Sequence, residues 1–478
     1  MFDLIIRNGF VVDPESGFAG KSDVAVEDGR IAEVSESISS KGTEELDASG
    51  LTVQPGVIDT HLHLASHPFG MRMAAESGVT TCLEMAGPAP KVFSYMPDAG
   101  VGINVAVLTA LIPGDNVSGN DPKAAEIDLA MTKAVEDGAF GVKILGGHFP
   151  LTPEASAEII RIAAERGIYA AWHAGTTEAG SNIKGMKEAV ELASGHPFHL
   201  AHINAYCRGR VNGILDECKE AESLLASHPE IVTESYLSDR NGCPLNFTPD
   251  GKPASGILSA QLRFFGFEPS RDGAVAAMKA DVLRAIAPRN GTLVLLPPKE
   301  GVEAFLSGEA KDGSFGGVNP IIARTFFATA KRADGTFLVD GISTDGGVLP
   351  RNVIVRGGCG LMKLGGLSAL EFAAKTSLIP ARMLKLEKKG RLSAGADADL
   401  TLYDPERMTA VHTFVRGEAV LRDGRVNGRG GTALVTEAGL EAVRRMGLRA
   451  EVLPWWIDSG IEPQEIDGDS CPYHGESA

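Results

Sequence analysis

Two histidines, His61 and His63, close the run Pro55-Gly-Val-Ile-Asp-Thr-His-Leu-His. Alternate side chains of an extended strand share one face, so both imidazoles can point at one place. Two imidazoles converging at a strand end are half of a metal site; a chance pair of structural histidines is the plainer alternative. Four more polar residues end apolar, strand-like runs. Lys143 stands in Gly141-Val-Lys-Ile-Leu, His173 ends Tyr169-Ala-Ala-Trp-His, His202 ends Phe198-His-Leu-Ala-His, and Asp345 ends Ile342-Ser-Thr-Asp. Singly each has a bland reading: satisfied structural histidines, a lysine reaching solvent, a turn aspartate before Gly-Gly. Together they are six groups at successive strand ends, where an α/β barrel builds its active site.

The elements that must position them differ along the chain. Residues 1–54 read as short strands and turns, with hairpin signals at Asn8-Gly9 and Glu27-Asp-Gly-Arg. From Pro55 to about 378, apolar strands alternate with helical patterns; one helix begins at Pro153 with Thr152 as its N-cap. Sustained strand–helix alternation predicts a parallel sheet covered by helices. Residues 237–290 break that rhythm and read as an insertion shaping the pocket or an oligomer contact. Strand texture returns over 379–431, predicting one β-domain assembled from both termini around the α/β domain. A last segment, 432–478, carries a helix (436–446) and an acidic tail with Trp455-Trp456, read as packing residues.

The chain has 478 residues, enough for one large domain plus a smaller one. A net charge of −17 with no offsetting basic block argues against a nucleic-acid partner. The six cysteines (Cys82, Cys207, Cys218, Cys243, Cys359 and Cys471) form no Cys-x-x-Cys pair, a cytosolic thiol pattern. With neither a signal-peptide pattern nor a membrane-spanning apolar run, a cytoplasmic protein without a membrane partner is expected.

With the strand-end set in place, the sequence resembles the amidohydrolase superfamily, nearest the dihydroorotase, hydantoinase, isoaspartyl dipeptidase and D-aminoacylase branch. The resemblance covers nearly the whole chain, from Leu4-Ile-Ile-Arg-Asn-Gly and Asp28-Gly-Arg-Ile-Ala-Glu-Val through Pro55-Gly-Val-Ile-Asp-Thr-His. It extends to Pro380-Ala-Arg-Met-Leu-Lys-Leu and Lys389-Gly-Arg-Leu-Ser-Ala-Gly-Ala-Asp-Ala-Asp-Leu. It implies a (β/α)8 TIM barrel with a small β-sandwich domain from both termini, and hydrolysis of a C–N amide bond in a small-molecule substrate. That substrate is a cyclic amide or imide, or an N-acyl amino acid. By the same resemblance His61 and His63 bind one metal, His173 and His202 the other, and Asp345 is a further ligand and proton carrier. Lys143, carboxylated by CO2, bridges the pair. An ammonium cannot ligate a divalent cation whereas a carbamate offers two anionic oxygens, and histidine–carboxylate ligand sets suit Zn2+, two per subunit. Relatives are usually dimers or tetramers, so a homo-oligomer is expected.

The pattern departs from the family in places. Hydantoinase-like members often carry a tyrosine soon after the bridging lysine; here the stretch is Gly146-Gly-His148-Phe. His148 is a candidate oxyanion donor, or simply a loop histidine. Cys82 rivals Lys143 as a bridging ligand, since D-aminoacylase-like members can use a cysteine in this region. His199, three residues before His202, is read as structural. Tyr206, Arg208 and Arg210 follow His202, and Tyr236 and Arg240 follow the next strand. An arginine among them could clamp a substrate carboxylate bidentately, or all could be solvated.

Two other functions stay open. A mononuclear aminohydrolase would need one metal and no bridging lysine, and a non-catalytic scaffold of the same fold would not need all six ligands.

Overall fold

The computed structural model describes residues 1–454. The tail with Trp455-Trp456 and Cys471 lies outside the described residues.

The terminal β-domain is one nine-stranded sheet. Phe2–Asp13, Phe18–Glu27 and Arg30–Ser35 form a meander, and Thr52–Pro55 lies parallel beside the first of them. Leu400–Asp404 then pairs antiparallel with Thr52–Pro55 and leads into Thr409–Val415 and Glu418–Arg422. Both ends of the chain thus meet on one ladder. The expected turn at Glu27-Asp28-Gly29-Arg30 forms, with Asp28 and Gly29 at φ of +50° and +72°, as a type I′ hairpin requires. Asn8-Gly9 does not turn the chain. It is a bulge inside one long strand, where the pairing register shifts between Ile6 and Gly9 and Asn8 sits at φ +62°. A Cβ on Gly9 would lie 2.5 Å from Val53, so this bend needs glycine.

Eight parallel strands form the barrel: β1 (Val57–His63), β2 (Val79–Glu84), β3 (Val101–Ala110), β4 (Gly141–Leu145), β5 (Tyr169–His173), β6 (Phe198–Leu200), β7 (Ile231–Tyr236) and β8 (Gly341–Ser343). Each pairs with the next. Just past β8, Gly346–Gly347 pairs with the end of β1, so the sheet closes. The helices between strands carry local stop signals. Thr152 caps Pro153–Arg166 by accepting from Ala155 N, and Gly167 ends that helix in the left-handed region. Valine, isoleucine and alanine from strands and helices make one continuous core.

The insertion is larger than its sequence texture suggests. Asn241–Pro244, Leu283–Arg289, Thr292–Leu295 and Asp312–Phe315 make a separate antiparallel sheet. It has its own core of Leu258, Leu262, Met278, Phe305 and Phe315, so the unit runs past residue 290. A short apolar run such as Thr292-Leu-Val-Leu reads alike in a barrel strand and in a hairpin, and periodicity cannot separate them. Ile286 and Leu293 of this sheet pack with Phe69 and Val348, tying the insertion to the loops after β1 and β8. After the β-domain, Gly430–Val435 adds beside the first half of β3, and a helix covers Leu440–Arg445.

Candidate metal centre

Side chains at odd positions of β1 face the barrel axis, which puts Asp59, His61 and His63 on one inner stripe. His61 is buried and His63 is partly open to the mouth. Ligand atoms of His61, His202 and Asp345 all lie within 4.8 Å of one another. His63 Nε2 is 3.0 Å and His61 Nε2 3.7 Å from Asp345 Oδ1. The His202 ring stacks on His61 at 4.9 Å and meets His173 edge-on at 4.4 Å. His173 Nε2 is hydrogen-bonded to Ser181 Oγ at 2.8 Å. A Cβ on Gly147 would sit 2.2 Å from that nitrogen, so the Gly146-Gly147 pair lets its loop pass flat against the ring.

Two of these residues bend the backbone to reach the centre. His202 (φ +38°) and Asp345 (φ +50°) both occupy the left-handed region, which costs a non-glycine residue on the order of 1 kcal/mol. His202 sits beyond the last β6 residue, so its three-residue offset from His199 does not set its direction. His199 lies inside the barrel below it, with Nδ1 2.7 Å from Tyr169 OH and Nε2 3.4 Å from Glu234.

Lys143 is buried at mid-height of β4, and its Nζ contacts Met85 Sδ at 3.4 Å. Burial drives its amine down to about 8 against the pull of Glu234 and Asp345, so the neutral form, a trace for an ordinary lysine, reaches roughly a tenth at pH 7. Burial, reinforced by Lys143, holds His61 well below the usual range. Burial and the neighbouring His202 do the same for His173, and burial outweighs Asp345 for His202. All three are therefore neutral imidazoles, the form that binds a cation. Burial would raise the Asp345 carboxyl, but Arg351, His63 and His61 hold it well below the carboxylate range. Arg351 Nη2 lies 2.5 Å from Asp345 Oδ2.

The donor set fits a divalent cation: neutral imidazoles and an ionised carboxylate converge, and the buried His202 Nδ1 has no hydrogen-bond partner among the described residues. Cys82 is fully buried on β2, paired opposite Asp59, where burial and the nearby Asp59 and Glu84 keep its thiol protonated.

The loop residues divide. Tyr206 is buried between His173 and His202, its hydroxyl accepting from Ala174 N at 2.9 Å. Tyr236 faces His202, and its hydroxyl donates to Asn319 Oδ1 and accepts from Arg208 Nη2 at 2.9 Å. Arg240 turns its guanidinium toward Ser314 O in the insertion, and exposed Arg210 lies over the Phe264 ring. His148 is exposed at the mouth, 5.5 Å from the His173 ring.

Four charged residues at the centre escaped the sequence reading. Asp59, Glu84 and Glu234 are fully buried acids on β1, β2 and β7, and Arg351 is the buried partner of Asp345. Glu84 Oε1 accepts from Ala86 N and Gly87 N, and Oε2 from Leu64 N, pinning the loops after β1 and β2. Their one sequence signal is position: each barrel acid shares strand parity with a candidate ligand or an inward group.

An eight-stranded parallel barrel with histidines and an aspartate converging at its C-terminal strand ends is the architecture of barrel metalloenzymes. An amidohydrolase family model matches residues 353–427. A dihydroorotase from Pelotomaculum thermopropionicum is 26% identical over 439 residues, spanning 84% of this chain and 89% of that one. Among solved structures, N-acyl-D-glutamate deacylase from Bordetella bronchiseptica, complexed with zinc and a phosphonate inhibitor, superposes with a TM-score of 0.61 at 17% identity over 90% of this chain and 98% of that one. D-aminoacylase, described with a binuclear metal centre, gives a TM-score of 0.62 at 18% identity over 90% and 99%. The chain is thus similar to amidohydrolases in sequence over part of its length and to dihydroorotase over most of it, and it shares the barrel fold of the deacylase and D-aminoacylase structures.

Proposed function

We propose that this chain is a metal-dependent hydrolase of carbon–nitrogen bonds other than peptide bonds, acting on a cyclic amide or an N-acyl amino acid. The convergence of His61, His202 and Asp345 within 4.8 Å at the strand ends carries the reading. His61 and His63 would hold one zinc ion and His173 and His202 a second, with Asp345 as a further ligand. Lys143 would bridge them as a carbamate: its neutral amine adds to CO2 and loses a proton, leaving an anionic N-carboxylate. Bound there, the ions would polarise the scissile carbonyl and lower the pKa of a water molecule.

The protein's own groups then move the proton. Asp345 accepts it at Oδ1 from the attacking water and returns it to the leaving nitrogen. Arg351, on Oδ2, holds the carboxylate aimed at that task. His148 at the mouth is a candidate donor to the developing oxyanion. Tyr206 and Tyr236 would wall the substrate beside the histidines, and Arg208, fixed by Tyr236 and Asn319, would meet a substrate carboxylate. Arg210 and Arg240 would contribute positive potential at the rim.

The test is a substrate panel of cyclic imides, hydantoins, lactams and N-acyl-D- and L-amino acids on zinc-loaded protein, with metal counting. Turnover that needs a second ion and bicarbonate supports the reading. Full activity with one ion sinks it in favour of mononuclear chemistry. No turnover, together with a biological effect that survives Asp345→Asn, leaves a scaffold.

A further inference from the structure

Glu234 is completely enclosed on β7. A buried carboxylate is unfavourable unless donors meet it, and here two N–H groups are hydrogen-bonded to it. Its Oε1 lies 2.6 Å from His61 Nδ1. Its Oε2 accepts from the backbone N–H of His202 at 2.7 Å. His199 Nε2 stands 3.4 Å from Oε1, and because Tyr169 OH sits 2.7 Å from the other ring nitrogen and can donate there, the His199 proton belongs on the side facing Glu234.

The two close bonds do different work. Accepting from His61 Nδ1 fixes the tautomer in which Nε2, 3.7 Å from Asp345 Oδ1, presents its lone pair to the centre. Accepting from His202 N holds that residue in its left-handed conformation, the bend that swings its ring onto His61 and against His173. The two histidines come from strands on different sides of the barrel, and no other described side chain is hydrogen-bonded to both.

We infer that Glu234 is the positioning residue that couples the two histidine pairs, setting the ring of His61 with one carboxylate oxygen and the backbone of His202 with the other. The inference rests on the metal reading above and concerns how the protein prepares the site before an ion arrives.

Glu234→Gln and Glu234→Ala, prepared as apoprotein, test it by zinc competition against a chromophoric chelator, with metal analysis and apoprotein melting temperature. Gln keeps an acceptor for His61 Nδ1 but sets an amide NH2 against His202 N–H, or the reverse; Ala removes both acceptors. Glu234→Gln should weaken zinc binding roughly 10–100-fold at one position, and Glu234→Ala at both, in protein that still folds. Should the alanine variant fail to fold, Glu234→Gln alone decides. Zinc affinity within twofold of wild type at both positions of Glu234→Gln would overturn the inference. Wild-type protein that binds no zinc removes the metal reading and this inference with it; wild-type binding with an indifferent Glu234→Gln removes this inference alone.

Discussion

The backbone N–H of Asp345 donates a 2.9 Å hydrogen bond to the carbonyl of His61. The last candidate ligand in the chain therefore hangs on the first, across the seam where β8 closes on β1. Beneath that bond, Asp59 clamps the same seam, its Oδ1 accepting from His61 N and Thr344 N and its Oδ2 from Thr344 Oγ1 at 2.6 Å.

Breaking this clamp should unfasten the barrel. Asp59→Ala leaves three buried donors without their acceptor and should cost about 2–4 kcal/mol in denaturant unfolding. Asp59→Asn should cost under about 1 kcal/mol. Burial, outweighing Thr344 and His61, lifts the Asp59 carboxyl to about 7, so a neutral amide is a close substitute. Equal losses in both variants would refute the clamp.

Removing the proposed proton carrier should stop turnover while the fold survives. Asp345→Asn should lower kcat by roughly 10²–10⁴-fold, and because it leaves the buried Arg351 guanidinium without its carboxylate it should also lower the melting temperature without unfolding the protein. Arg351→Met should lower kcat too, because Arg351 also donates to the Asp345 carbonyl and to Arg240 O at 3.1 Å, strapping the Asp345 loop to the insertion. Wild-type kcat in either variant would exclude the role assigned here.

Lys143 should make metal loading depend on CO2 and pH. Carbamate formation needs the neutral amine, whose fraction falls as the pH drops below about 8. Apoprotein reconstituted with zinc in CO2-free buffer at pH 6 should take up less of a second ion than protein reconstituted with bicarbonate at pH 8.5. Lys143→Met should bind the smaller amount under both conditions. Indifference of the wild type to bicarbonate would point away from the carbamate.

Lys375 should give the fold a pH signature remote from the metal centre. Its buried ammonium donates to Val339 O at 2.5 Å and lies 4.2 Å from the Phe337 ring centroid. Burial, against Asp340 and Glu371, lowers its pKa from 10.5 to about 7. Between those values the unfolded chain binds a proton that the folded chain does not. Stability from this residue therefore rises with pH across that window, on the order of 1 kcal/mol per unit, and is lost as the pH falls toward 7. Lys375→Met should flatten that slope in unfolding curves between pH 7 and about 10. An unchanged slope would show that another group titrates there.

The sequence alone carried the local decisions. Strand–helix alternation, the cap at Thr152 and the Asp28-Gly29 turn depend on neighbours in the chain, so the barrel and the β-domain from both termini were legible. So was the convergence of His61, His202 and Asp345, because strand ends of a barrel share one face. Asn8-Gly9 misled because the same backbone angles serve a turn and a bulge, and strand pairing decides between them.

Only the closed barrel decided what holds those candidate ligands in place. Glu234 sits in Val232-Thr-Glu-Ser as an unremarkable strand acid, 173 positions from the His61 ring it contacts. Asp59 reaches Thr344 across 285 positions. No periodicity or propensity encodes contacts of that range, since they exist only once curvature brings inner faces together. Burial also reset the charges: in the linear chain Lys143 is an ordinary ammonium and Asp59 an ordinary carboxylate. Enclosure without water, which only the tertiary structure supplies, turns the first toward a neutral amine and the second toward a protonated acid.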